Sequence, residues 1–211
     1  MEIFDLSHKL NNQTPVFPGT AKPTFESAAT IDKDGYRETH FNFESHLGTH
    51  IDAPAHILET GQTLDQLPVS AFTGKAIIIE IPANTKYIDK SSLFPFQEKL
   101  AETDFVLFKT GWCKKWGSNE YFSNFPVLAE EAANWLISFN LKGIGFDAIS
   151  ADPVESSVLS IHHIILRNGC IIIENLNFPE KLKTNEGEFS CFPLPYENAD
   201  GSPVRAVFRI L

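Results

Sequence analysis

The chain has 211 residues, 43% of them hydrophobic and 18 of them phenylalanine, enough for one sizeable core and a single domain over residues 1–211. Twenty-seven acidic against 17 basic residues leave a net charge of −10. That balance argues against nucleic-acid or anionic-membrane partners, which need clustered Lys and Arg, and the charged fraction of 21% argues against disorder.

The start, Met1 to His8, lacks the basic region and apolar run of a signal peptide. Pro15, Pro18, Gly19 and Pro23 make Thr14 to Thr24 a structured loop, within a first third that reads as β-rich. From Tyr36 to Ser45 the alternation of Thr39, Phe41 and Phe43 with His40, Asn42 and Glu44 predicts a half-buried strand. Lys75 to Ile81 and Asp104 to Lys109 read as strands. A helix is expected over Leu128 to Phe139, with Leu128, Ala132, Trp135, Leu136 and Phe139 on one face and Gly143 ending it. Then come a buried strand over Gly143 to Phe146, a helix over Ser157 to Arg167 stopped near Gly169, and a strand over Cys170 to Glu174. A last strand spans Arg205 to Ile210. Strand, helix, strand, helix, strand is the pattern of parallel crossover units, so the class is α/β with a mixed sheet. The apolar runs, such as Ala76–Ile79 and Ile171–Ile173, are too short to span a bilayer. Cys113, Cys170 and Cys191, odd in number and far apart, read as free thiols of a reducing cytoplasm.

Chemistry concentrates in eleven residues. His46, His50, Asp52 and His56 all fall on even positions, in a chain with seven histidines. In an extended segment these four project to one side, with Leu47, Ile51, Ala53 and Ala55 on the other. Gly48 and Pro54 disfavour a helix, and Leu47 stands where a zincin would need Glu. Two imidazoles and a carboxylate form a natural set for a divalent ion with an open position for water, whose pKa then drops toward about 7. A second cluster runs from Ile161 to Glu174. His162 opens a helix, whose positive end favours the neutral, metal-binding imidazole, and Glu174 closes a strand of isoleucines. On spacing alone, a surface His and a strand-terminal Glu describe this second cluster better.

The uninterrupted His-x-Gly-Thr-His-x-Asp-x-Pro-x-His from His46 to His56 resembles the cyclase family of metal-dependent hydrolases, which includes bacterial kynurenine formamidases. Asp5 to His8, Phe17 to Gly19, Lys109 to Trp112, Gly145 to Asp152 and His162 to Leu176 match as well. The resemblance implies a swivelling β/β/α fold and hydrolysis of a small aromatic amide such as N-formylkynurenine. It implies zinc, or manganese in some relatives, as one or two ions per subunit. His46, His50 and Asp52 would hold one ion, and Asp52 would bridge to a second held by His162 and Glu174. His56 would move the proton, an imidazole titrating near neutrality, and Phe17 would line the substrate pocket, with Trp112 and Tyr121 at its entrance or in the core. A homodimer is implied too. Phe17, Thr20 and His163 depart from the formamidase pattern of a larger aromatic, Asp and Arg. Two other readings stand beside this one: cleavage of a cyclic amide such as isatin or of a lactone, and a metal-dependent binding module without turnover.

Overall fold

The computed structural model describes residues 1–82 and 84–210. Strands β1 (Glu2–Asp5), β2 (Thr24–Ala29), β3 (Glu38–Asn42) and β4 (His50–Asp52) come first, with helix α1 (Ile31–Asp34) between β2 and β3. They are followed by β5 (Thr73–Glu80), β6 (Tyr87–Ile88), α2 (Lys90–Leu93), α3 (Gln97–Leu100), β7 (Phe105–Lys109), β8 (Val127–Leu128) and α4 (Glu130–Leu136). The chain then gives β9 (Gly143–Phe146), α5 (Ser160–Arg167), β10 (Ile171–Glu174), β11 (Glu186–Ser190), β12 (Gly201–Pro203) and β13 (Val207–Ile210). None of the described helices is long and apolar enough to cross a membrane.

Nine strands form one mixed sheet in the order β1-β13-β11-β5-β7-β9-β10-β4-β12. β5, β7, β9 and β10 are parallel, as the alternation of strands and helices predicts, and antiparallel strands flank them. Parallel strands covered on both faces need continuous apolar runs, which Ala76–Ile79 and Ile171–Ile173 provide. Successive residues feed different cores. Ile77, Ile79, Val106, Phe108 and Ile172 meet Leu93, Leu136, Ile161 and Ile165 of the helices. Ala76, Ile78, Phe105, Leu107, Ile171 and Ile173 meet Phe4, Phe72, Phe189 and Phe208 on the opposite face. Ile51 joins that second core opposite Ile173, so its neighbours His50 and Asp52 turn to the face that carries α5.

Three sequence expectations are corrected. The segment around Phe41 is a strand, but all five residues of β3 are exposed and it pairs only with β2, outside the main sheet. Its alternation is real: Phe41 lies 5.3 Å from Phe25. Among the described residues no layer covers that face. The helix expected over Leu128 to Phe139 begins only at Glu130, because Val127–Leu128 pairs with β6, and Asn140 in the left-handed region (φ 56°) ends its last turn. Gly143 instead opens β9. The final strand begins at Val207, and β11 and β12 were missed for want of an alternating apolar pattern.

The N-terminal segment carries an acid-sensitive contact. His8 stacks on Trp116, with ring centroids 3.8 Å apart and 4° between planes, and its buried Nε2 has no hydrogen-bond partner among the described residues. Burial pushes the His8 imidazole down to about 4. The unfolded chain binds this proton below the ordinary His value of about 6.5, whereas the fold refuses it until about 4, so stability falls as pH drops through that window. His8→Phe should remove about 1–2 kcal/mol of the loss between pH 7 and pH 5. Urea midpoints at the two pH values measure it, and an unchanged difference would contradict the assignment.

Candidate metal centre

β4 sits between β10 and β12, which places Glu174 beside His50 and Gly201 beside Asp52. The strand is only three residues long. Gly48 precedes it in the left-handed region (φ 63°), where a side chain would also strike Leu10. This turn lets the Gly48 carbonyl accept a hydrogen bond from His50 Nδ1 at 2.8 Å. A carbonyl can only accept, so Nδ1 carries the hydrogen and Nε2 keeps a free lone pair. That Nε2 lies 3.3 Å from Asp52 Oδ1 and 3.5 Å from Glu174 Oε2. The buried Asn175 amide also donates to the Gly48 carbonyl at 2.8 Å, while Thr49 Oγ1 donates to the Asn175 carbonyl at 2.6 Å. Tyr121 O–H donates to Asn175 Oδ1 at 2.7 Å, so a closed polar network fixes the turn that aims His50.

α5 supplies His162 to the same group. Its Nε2 lies 3.3 Å from Glu174 Oε1 and 3.6 Å from Asp52 Oδ2. Its Nδ1 lies 2.7 Å from Asp152 Oδ2, and the Asp152 carboxylate also accepts the Ile161 and His162 backbone N–H groups at 3.0 Å each. One side chain thus caps the helix and aims the imidazole, an arrangement typical of metal-ligating histidines. Burial opposes protonation of His162, but Asp152, Glu174 and Asp52 outweigh it and push the imidazole up to about 10. Three carboxylates at contact distance exceed the partial charge of a two-turn helix.

Asp52 is the hub. Burial favours its neutral form, but hydrogen bonds and charge from His46 and His50 hold the carboxyl well below the usual range. Its Oδ2 is buried and receives no hydrogen bond among the described residues. Ligand atoms of His50, Asp52 and Glu174 lie within 4.8 Å of one another, as do those of His46, Asp52 and His56. An unpartnered carboxylate oxygen facing free imidazole nitrogens fits a divalent cation. The grouping differs from the expected one: His46 falls with His56, and His50 with Glu174.

His46 Nδ1 meets Asp52 Oδ1 at 2.7 Å and its Nε2 meets Asp200 Oδ2 at 3.1 Å. Burial works against its proton, but Asp52 and then Asp200 prevail and raise the imidazole to about 9. Gly201 must lack a side chain because a Cβ there would collide with the His46 ring. His56 does not arrive by strand alternation, as the sequence suggested. Pro54–His56 is a 3-10 turn, and this turn swings the His56 ring to 4.0 Å from that of His46. Burial lowers the His56 imidazole to about 4, below the near-neutral titration expected of it, so the ring rests neutral. These groups open into a cavity of about 470 Å³, with Phe17, Ile149, Val154 and Leu159 as its apolar wall.

The Cyclase family model matches residues 4–153, which include the whole His46–His56 motif. This chain belongs to the Cyclase family. It is 32% identical over 209 residues to the kynurenine formamidase of Bacillus thuringiensis (strain Al Hakam), covering 99% of this chain and 97% of the relative. Isatin hydrolase A from Ralstonia solanacearum superposes with a TM-score of 0.87 at 22% identity, over 100% of this chain and 92% of the other. The "predicted metal-dependent hydrolase" from Bacillus stearothermophilus gives 0.77 at 25%, over 98% and 97%.

All five expected cyclase-family ligands and His56 converge on one cavity, with Phe17 and Thr20 on its rim. His163 and the aromatics Trp112 and Tyr121 do not line it. Trp112 and Tyr121 are packed with Phe125 and Ile149 in a core of their own. Sequence reasoning missed Asp152 and Asp200. Asp152 stands far from the usual cap position, which Leu159 occupies with φ 50°, and Asp200 lies in a stretch without periodicity.

Proposed function

We propose that residues 1–211 form one hydrolase domain that cleaves a small aryl amide, an N-formyl aryl amine such as N-formylkynurenine, with zinc or manganese at the Asp52 centre. The observation that carries this reading is the cavity itself: the apolar side chains of Phe17, Ile149, Val154 and Leu159 line it together with the donor set and a neutral imidazole. His46, His50, Asp52, His162 and Glu174 would hold one or two ions. When bound, a divalent ion supplies Lewis acidity, polarising the carbonyl and making hydroxide accessible near neutral pH. His56 accepts the proton lost by the attacking water and returns it to the leaving nitrogen as the C–N bond breaks, giving the amine and the acid. Phe17 stacks on the aryl group. Its partial exposure at the cavity rim suits that contact.

One observation favours the second reading, hydrolysis of an uncharged cyclic amide such as isatin. Among the described residues no Lys or Arg lines the cavity, so nothing there pairs with an amino acid's carboxylate. A homodimer is supported by the β2–β3 hairpin, which exposes Phe41 and stands apart from the main sheet. Three free, buried cysteines support a cytoplasmic setting.

The test is turnover of N-formylkynurenine, formanilide and isatin by protein loaded with zinc or manganese, with light scattering on the same preparation. Chelator-sensitive release of the aryl amine and a dimeric mass are expected. Turnover of isatin alone would establish the second reading. A fully loaded protein that binds metal and turns over none of the panel would be a binding module.

A further inference from the structure

We propose that Asp200 is a positioning residue of this centre, whose carboxylate holds His56 with Nδ1–H toward itself and Nε2 toward the reacting atoms. The inference rests on the proposed proton-transfer role of His56. Asp200 Oδ2 lies 3.1 Å from His46 Nε2, a hydrogen bond, and 3.9 Å from His56 Nδ1, outside hydrogen-bond range but within ion-pair reach. Catalytic contacts of this kind are commonly long before substrate binds.

The carboxylate is itself held in place. Ser45 Oγ donates to Oδ2 at 3.2 Å, and the Tyr196 hydroxyl is shared between Oδ1 at 3.3 Å and the Gly201 carbonyl at 2.5 Å. Behind it the Asp200 carbonyl accepts the Ala53 N–H at 2.9 Å, and Gly201 pairs with Asp52 across β12 and β4. Asp200 is therefore tied through its backbone to the strand that carries the hub.

A carboxylate can only accept, so its charge on the Nδ1 side favours the Nδ1–H tautomer, fixes it once the 3.9 Å gap closes, and leaves the Nε2 lone pair free to take a proton. Asp200 belongs to neither group of potential ligands. When a cation neutralises Asp52 and Glu174, the Asp200 charge remains to face the imidazolium that forms during proton transfer. A base oriented by a third group is the general logic of such relays.

The experiment uses full-length, zinc-loaded protein and Asp200→Asn, whose amide can donate as well as accept and so releases the tautomer. Zinc content should match the parent. On an N-formyl aryl amine kcat should fall about 10- to 100-fold with KM within about twofold. Added to His56→Ala, Asp200→Asn should cause no further loss, since residues acting through one another do not multiply. Long-range proton–nitrogen NMR should show the His56 ring as Nδ1–H in the parent and not in the variant. Zinc lost in step with rate, losses that multiply, or a retained tautomer would each overturn the proposal. A parent that cleaves no amide would refute the function reading alone, because the NMR comparison still decides the role of Asp200.

Discussion

Asp52→Asn should leave the protein with less than about a tenth of the parent's divalent metal and lower turnover by about 10⁴-fold, the several kcal/mol a catalytic metal contributes. Asn keeps the shape of Asp52 and removes one charge, so the strand pairing with Ile172 is preserved. Both potential ligand groups share Asp52, and its Oδ2 has no other partner among the described residues. The substitution therefore weakens every ion the centre can hold, whereas a change at Glu174 touches one group. Elemental analysis and a thermal melt on the same sample separate metal loss from unfolding. Full metal content in a folded Asp52→Asn protein would sink the assignment of the hub.

Why the centre could be read from sequence follows from where its atoms sit. His46, His50 and Asp52 fall within seven residues, and the short strand His50–Asp52 keeps its alternation because Ile51 is anchored in the core. Glu174 was legible as the polar end of an apolar strand, but its meeting with His50 depends on an antiparallel pairing between β10 and β4 that no local pattern announces. His56 was placed on the correct side by an incorrect geometry, since a strand with two-residue alternation and a turn entered through Pro54 happen to aim the ring alike. The partner that orients His162 could not be read locally, because Asp152 is ten residues away in sequence and 2.7 Å away in space. Asp200 is further still, 154 residues from His46. Local periodicity reports which face a residue takes, and long-range pairing decides what it faces.

His56→Ala should keep its metal and its fold and lose about 100- to 10,000-fold in turnover of an N-formyl aryl amine, the usual range for a general acid–base group. The geometry leaves a real competitor, because His56 can reach the same ion as His46 and Asp52. Two observations favour proton transfer. The ring is 29% exposed, a little more than His46 at 24% and far more than the almost fully enclosed His50 and His162, so it lies where substrate and solvent can reach it. It also rests neutral, pressed down to about 4 chiefly by burial, with the charges of His46 and His162 adding to the effect, so its lone pair is unoccupied before reaction and a nearby negative charge is needed to strengthen it as a base. A base that starts neutral needs a counter-charge only after it takes the proton, and the Asp200 carboxylate at 3.9 Å is placed to supply it. Metal content and rate must be read on one sample. If both vanish together, His56 is a ligand and the proton moves by another route; if neither changes, the residue is a bystander, and His163 cannot replace it because its side chain does not line the cavity.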